Sequence, residues 1–268
     1  MLFVRTLIFN LLFGITTAAL SLAAAPGLLM PYKAVIWFKQ LWLNIVMALT
    51  RAVIGIDCEV RGRENIPEGP VIFAVKHQSA WDTMALSLAH PLCAFVLKRE
   101  LIWLPVWGWY LVRLGMIPID RSKGITSLKK ITAAAGKLAG RGQSILIFPQ
   151  GTRTPPGADR PYLPGVAAIY KGADVPVVPV ALNSGLFWPR KLMDKQPGVI
   201  TVEYLDPIEP GLDRKTFMKL LAERIEPATA RLEAEALERY PHLPRPPLET
   251  AGAVSPQAEP AKPDVRAV

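Results

Sequence analysis

Only three of the 268 residues are histidine, and His77 is the one that stands where a base could work. It follows the apolar run Val71-Ile-Phe-Ala-Val75, which predicts a strand ending just before it. Open α/β sheets gather ligands and catalytic groups at strand ends. His90 precedes Pro91 at a predicted helix end, where a structural or exposed role is expected, and His242 falls in a Pro-rich tail. The stretch around His77 reads KHQSAWDT, so Ser79 can cap the next helix and Asp82 falls in its first turn. A carboxylate there can accept the imidazole N–H, fix the tautomer and stabilise the imidazolium. The other ring nitrogen is then free to take a proton. Taken alone, a His-x4-Asp pair is more often a helix cap beside a satisfied histidine.

Two further segments change that balance. GMIPIDR, Gly115 to Arg121, puts Arg121 just after a short strand. LIFPQGTR, Leu146 to Arg153, puts Gly151, Thr152 and Arg153 in a turn after another. Guanidinium groups suit bidentate contact with phosphate, and Gly151 lets backbone approach a ligand closely. Either arginine alone reads as a surface ion pair; two at strand ends, with a histidine at a third, read better as one shared site. No G-x-S-x-G elbow is present, and neither Cys58 nor Cys93 has a neighbouring base. A catalytic His77 would therefore act on a hydroxyl of the substrate itself.

The elements that must position these residues follow from periodicity. Strands are expected at 57–61, 71–76, 94–98, 116–120, 144–148, 176–182 and 199–205. Helices are expected at 79–89, 105–114, 124–140, 164–172 and 214–238, the last as a solvated outer helix laced with charges. Strands separated by helical stretches imply an α/β domain with a mixed central sheet flanked by helices. That domain covers 57–240. Seven prolines in the last 28 residues leave nothing with which to bury a core, so 241–268 is expected to be disordered.

Residues 1–56 differ from the rest. They hold Arg5, Lys33, Lys39 and Arg51 and no acidic residue, and Thr6 to Ala25 is uncharged. A run of about 20 apolar residues can span a bilayer as a helix; a cleaved signal peptide is the competing reading. The segment Lys33 to Ile54 is a second helix with a thin polar edge of Lys33, Gln40, Asn44 and Arg51. Two N-terminal membrane helices are therefore expected, the second alternatively buried in the domain. Hydrophobic residues make up 51% of the chain and its net charge is +9, which suits an anionic lipid surface or phosphorylated substrate. No compact basic run or RNA-binding signature accompanies that charge, so nucleic acid is not expected as a partner. Two cysteines without a metal or redox motif suit reduced, buried thiols and a domain facing the cytoplasm.

The ordered set of segments resembles the glycerolipid acyltransferase family that includes the 1-acylglycerol-3-phosphate acyltransferases. KHQSAWDT is similar to its first block, N-H-x4-D; GMIPIDR to its second; FPQGTR to its third, F-P-E-G-T-R; and VPVVPVAL, Val175 to Leu182, to its fourth. LKRELIWLPVWGW resembles the segment between the first two, and the likeness covers roughly 57–210. It implies His77 as base and Asp82 as its orienting partner. It also implies Arg121, Gly151, Thr152, Arg153 and Lys98 around the acceptor and its phosphate, with Pro179 on the acyl-donor or lipid side. The implied reaction moves an acyl chain from acyl-CoA or acyl carrier protein to the sn-2 hydroxyl of a lysophospholipid, lysophosphatidic acid first among them, at the inner face of the cytoplasmic membrane. No metal or organic cofactor is implied. The same chemistry on another acceptor, such as a lyso-ornithine lipid, and non-catalytic binding of anionic lipid are the alternatives. Lys76 replaces the family's Asn and Gln150 its Glu, departures expected to bear on acceptor choice.

Overall fold

The computed structural model describes residues 1–26, 31–104, 106–120 and 124–245. Its centre is a seven-stranded sheet in the order β1-β7-β6-β2-β5-β3-β4. The strands are β1 (Ile56–Arg61), β2 (Ile72–Val75), β3 (Ala94–Lys98), β4 (Ile117–Ile119), β5 (Ile145–Ile147), β6 (Val177–Leu182) and β7 (Gly198–Tyr204). Neighbours from β6 to β4 pair in parallel, whereas β7 runs antiparallel to β6 and carries β1 parallel to itself. The sheet is mixed, as its pattern of runs predicted. All seven expected strands are present within two residues of their predicted ends.

Side chains alternate across the sheet, and each face has its own core. Phe73, Val75, Leu146, Val178 and Val180 pack with Leu43 and Val46 of α2 (Tyr32–Leu49) and with Trp81, Met84 and Leu86 of α3 (Ala80–Ala89). Ile72, Ala74, Ile145, Ile147 and Val177 face the other way. They meet Ile131 of α5 (Gly124–Ala139), Ile169 of α6 (Pro164–Ala173), and Phe217, Leu221 and Ile225 of α8 (Arg214–Arg239). Strands buried on both faces read as continuous apolar runs, which is why β2, β5 and β6 were legible. Two short helices, α4 (Trp107–Arg113) and α7 (Ser184–Phe187), complete the set among the described residues.

Three expectations change. First, only α1 (Leu2–Ala23) is long and apolar enough to cross a membrane among the described residues. Helix α2 is interrupted by Lys39, Gln40 and Asn44, and it is tied to the domain. Lys39 Nζ donates to Pro91 O at 2.7 Å, and Gln40 Nε2 reaches Ser87 O at 3.4 Å. Second, α8 is half core. Its stripe Phe217, Leu221, Ile225, Leu232, Ala236 is buried beneath the charged residues that dominate its composition. Third, the domain runs past Tyr240: Leu243 is buried in the core and His242 Nε2 meets Pro197 O at 3.1 Å. The rest of the expected disordered tail, 246–268, lies outside the described residues. Cys93 is buried, but Cys58 is exposed on β1.

Candidate active site

Because β2, β3, β4 and β5 run in parallel, their C-terminal ends lie along one edge of the sheet, the edge at which open α/β folds bind ligands. Lys76 and His77 leave β2 there, Lys98 ends β3, and Phe148 to Arg153 leave β5. Extended backbone continues past Val75, since Lys76 N donates to Val180 O at 2.9 Å. The strand period therefore sends His77 to the face of Phe73 and Val75, where α3 begins, and Lys76 to the opposite face, beneath α8.

His77 is fixed by three contacts. Its Nδ1 lies 3.0 Å from Asp82 Oδ2, its ring stacks on Phe148 with centroids 3.8 Å apart, and its carbonyl accepts Thr154 N at 2.7 Å. The turn holds its partner in place: Asp82 Oδ2 also accepts Gln78 N at 2.8 Å and Ser79 N at 2.9 Å, closing a capping box with Ser79. Asp82 is fully buried, and its other oxygen accepts the Ser184 hydroxyl from the start of α7. A carboxylate so held is acceptor-only, which makes Nδ1 the protonated nitrogen of a neutral His77. Nε2, without a protein partner among the described residues, is left to take a proton from whatever occupies the adjacent cavity.

That cavity holds about 860 Å³. His77, Lys98, Gly151, Thr152 and Arg153 line one part of it, and Leu111, Met116, Leu128 and Ile131 are among the apolar residues lining the rest. Its size and composition suit an apolar chain with a polar head. Gly151 has φ +67, a left-handed conformation that glycine adopts without strain, so the turn can bring Thr152 and Arg153 back toward His77. Arg153 has no ion pair or hydrogen bond among the described residues and so has charge to offer an anion. Of the residues expected at the site, Arg121 lies outside the described ones. Pro179 sits within β6, buried, and lines neither of the two cavities beside His77. It lies one position beyond the Val180–Leu182 pairing with β7, where its carbonyl accepts Leu205 N at 2.9 Å.

The two departures from the familiar blocks are buried and also line neither cavity. Lys76 is 2% exposed and pairs with Glu226 on α8 at 2.5 Å. Gln150 is buried with neither amide atom hydrogen-bonded among the described residues. Lys76 is thus part of a network that the sequence did not suggest. Glu226 accepts both Lys76 Nζ and, at 2.7 Å, the Tyr162 hydroxyl. Two turns onward on the same side of α8, Glu233 accepts Gln78 Nε2 at 2.6 Å and Gly157 N at 3.0 Å. Burial pushes the Glu233 carboxyl up, and burial beside Glu226 pushes the Tyr162 phenol up. Both carboxylates therefore bridge the turn that carries His77 and the loop that follows Arg153.

Comparison with known proteins agrees with this geometry. The family model for Acyltransferase matches residues 57–183. A 1-acyl-sn-glycerol-3-phosphate acyltransferase of Pseudomonas aeruginosa is 40% identical over 203 residues, 74% of this chain and 78% of that protein. This chain belongs to the acyltransferase family. A Limnanthes alba protein of the same name is 29% identical over 69% of this chain and 68% of its own length. The fold of this acyltransferase is also that of the crystal structure of the 1-acyl-sn-glycerophosphate (LPA) acyltransferase PlsC from Thermotoga maritima. That comparison has a TM-score of 0.70 at 22% identity and covers 87% of this chain and all of that one. The matched segment 57–183 ends at Asn183, so α7, the loop after it and α8 fall outside it. Those elements carry Ser184, Arg190, Glu226 and Glu233, the site residues that the block motifs did not reveal.

Proposed function

We propose that this acyltransferase moves a fatty acyl group from a thioester donor, acyl-CoA or acyl carrier protein, to the sn-2 hydroxyl of lysophosphatidic acid, giving phosphatidic acid for phospholipid synthesis. The observation that carries the proposal is the buried Asp82 holding His77 Nδ1 at 3.0 Å beside a large apolar cavity that also contains Arg153. In this reading Nε2 accepts the proton of the sn-2 hydroxyl as that oxygen attacks the thioester carbonyl carbon. The tetrahedral intermediate collapses with cleavage of the C–S bond, and the imidazolium returns the proton to the departing sulfur. Ester and free thiol are the products. Asp82 remains ionised throughout and stabilises the imidazolium. Arg153, with Lys98 and Arg121, holds the phosphate, and the long cavity takes an acyl chain. Helix α1 seats the enzyme at a bilayer, which supplies the lysolipid acceptor and receives the product.

The test is a panel of lysolipids with both donors and purified enzyme. Lysophosphatidate is expected to be the preferred acceptor. His77→Ala and Asp82→Asn should each lower kcat by about 10³-fold or more with little change in KM. Full turnover by His77→Ala would remove it as the base. Transfer to an amino-acid lipid and none to lysophosphatidate would replace the acceptor.

A further inference from the structure

A second cavity of about 390 Å³ is also lined by His77. Its apolar walls are Phe9 and Phe13 of α1 and Trp188 and Leu192 of the loop after α7. Five residues line both cavities: His77, Thr83, Met84, Arg153 and Arg190. The base and two guanidinium groups thus stand at the junction of two apolar arms. Neither arginine has an ion pair or hydrogen bond among the described residues, so the junction carries two unneutralised positive charges beside His77.

The loop that brings Arg190 there is fastened to α1. Lys195 is buried and donates from Nζ to Asn10 Oδ1 at 2.9 Å and to Leu192 O at 2.7 Å. The same ammonium lies 5.3 Å from the Phe9 ring and 4.8 Å from the Trp188 ring, which pack edge to face at 5.2 Å. Burial lowers Lys195 to about 8, and no carboxylate neutralises it among the described residues. The second arm is therefore a held shape whose wall includes α1, the one helix among the described residues that is long and apolar enough to cross a bilayer. It also adds positive potential to the junction.

We propose that Arg190 is a second ligand of the acceptor's phosphate and that the second cavity seats the acceptor's own acyl tail, leaving the larger cavity to the tail of the donor. This inference rests on the acceptor named under Proposed function. Its argument is that the reaction joins two molecules that each carry an apolar chain, whose reacting atoms must meet at His77. Two arms meeting there let both chains be buried at once, whereas a single cavity would make them compete. A phosphate monoester carries close to two negative charges at neutral pH and matches two guanidinium groups better than one.

Arg190 is exposed, so Arg190→Gln will fold. Its KM for lysophosphatidate should rise about tenfold or more, with KM for the donor and kcat within about threefold, and Arg190→Lys should recover part of the loss. Ala80 lines only the second cavity. In the wild type, KM for the acceptor should fall as the acceptor chain lengthens from eight to sixteen carbons. Ala80→Leu should flatten that dependence and leave donor-chain preference unchanged. An Arg190→Gln enzyme with unaltered acceptor KM overturns the phosphate role. An Ala80→Leu enzyme that changes donor-chain preference instead shows that the arms are assigned the wrong way round. If the wild type does not acylate lysophosphatidate at all, the acceptor itself is wrong, a result distinct from either of these.

Discussion

Replacing Glu226 by Gln should unfold this enzyme several degrees earlier, and the reason is the lysine beside His77. Lys76 is 2% exposed, with its ammonium 2.5 Å from the Glu226 carboxylate. Removing one partner of a buried pair typically costs about 3–5 kcal/mol, because the other charge stays desolvated. Two features lower that figure here. Glu226 is 31% exposed, and Glu233 is close enough for its carboxylate to feel the Lys76 charge. A loss of about 2–3 kcal/mol follows, which for a domain of this size lowers the melting temperature by roughly 4–12 °C. The assay is thermal unfolding in detergent of the wild type, Glu226→Gln, Lys76→Gln and the double variant. Lys76→Gln should cost less than Glu226→Gln, because the carboxylate it strands keeps the Tyr162 hydroxyl and some solvent. The double variant should recover about 1 kcal/mol or more relative to the sum of the singles. A Glu226→Gln enzyme that melts within 1 °C of wild type would refute the reasoning.

Three other outcomes are expected. Ser184→Ala removes a buried hydroxyl from Asp82 but leaves its two backbone donors and His77; kcat should fall about 5–10-fold, with a stability loss of about 1–2 kcal/mol in the same melts. Gly185→Ala places a Cβ 2.9 Å from Pro156 and 3.0 Å from Gln78, pressing the two site loops apart, so steady-state kinetics should show reduced kcat in a folded protein. Burial, helped by the Arg63 charge, holds His90 at about 4, below its ordinary 6.5. Between those values the unfolded chain binds the extra proton, so stability falls as pH drops from about 6.5 toward 4; His90→Gln should flatten that limb of a stability–pH profile, and an unchanged slope would assign it to other groups.

The strands and most helices were legible because each rests on a local signal: an apolar run closed by Gly or Pro, or a 3.6-residue stripe. The His77–Asp82 pair was legible for the same reason, five residues apart and both in one strand-to-helix turn. What was missed lies far along the chain. Ser184 is 102 residues from Asp82, and Glu233 is 155 from Gln78. No spacing rule joins such positions. One part could have been read. Lys76 continues the parity of Ile72 and Ala74, and His77 that of Phe73 and Val75, so period two alone sends their side chains to opposite faces. Lys76 was expected to bear on the acceptor because it replaces the family's Asn in the block beside His77. Strand geometry makes adjacency the reason that it cannot share the face of His77. Likewise Glu226 and Glu233, seven residues apart, occupy one side of α8 beside its apolar stripe. That arrangement marks carboxylates with work to do inside the domain, beneath a composition that reads as solvated. The α8 carboxylates thus hold from behind, through Lys76 and Gln78, the turn that aims His77 at the cavity.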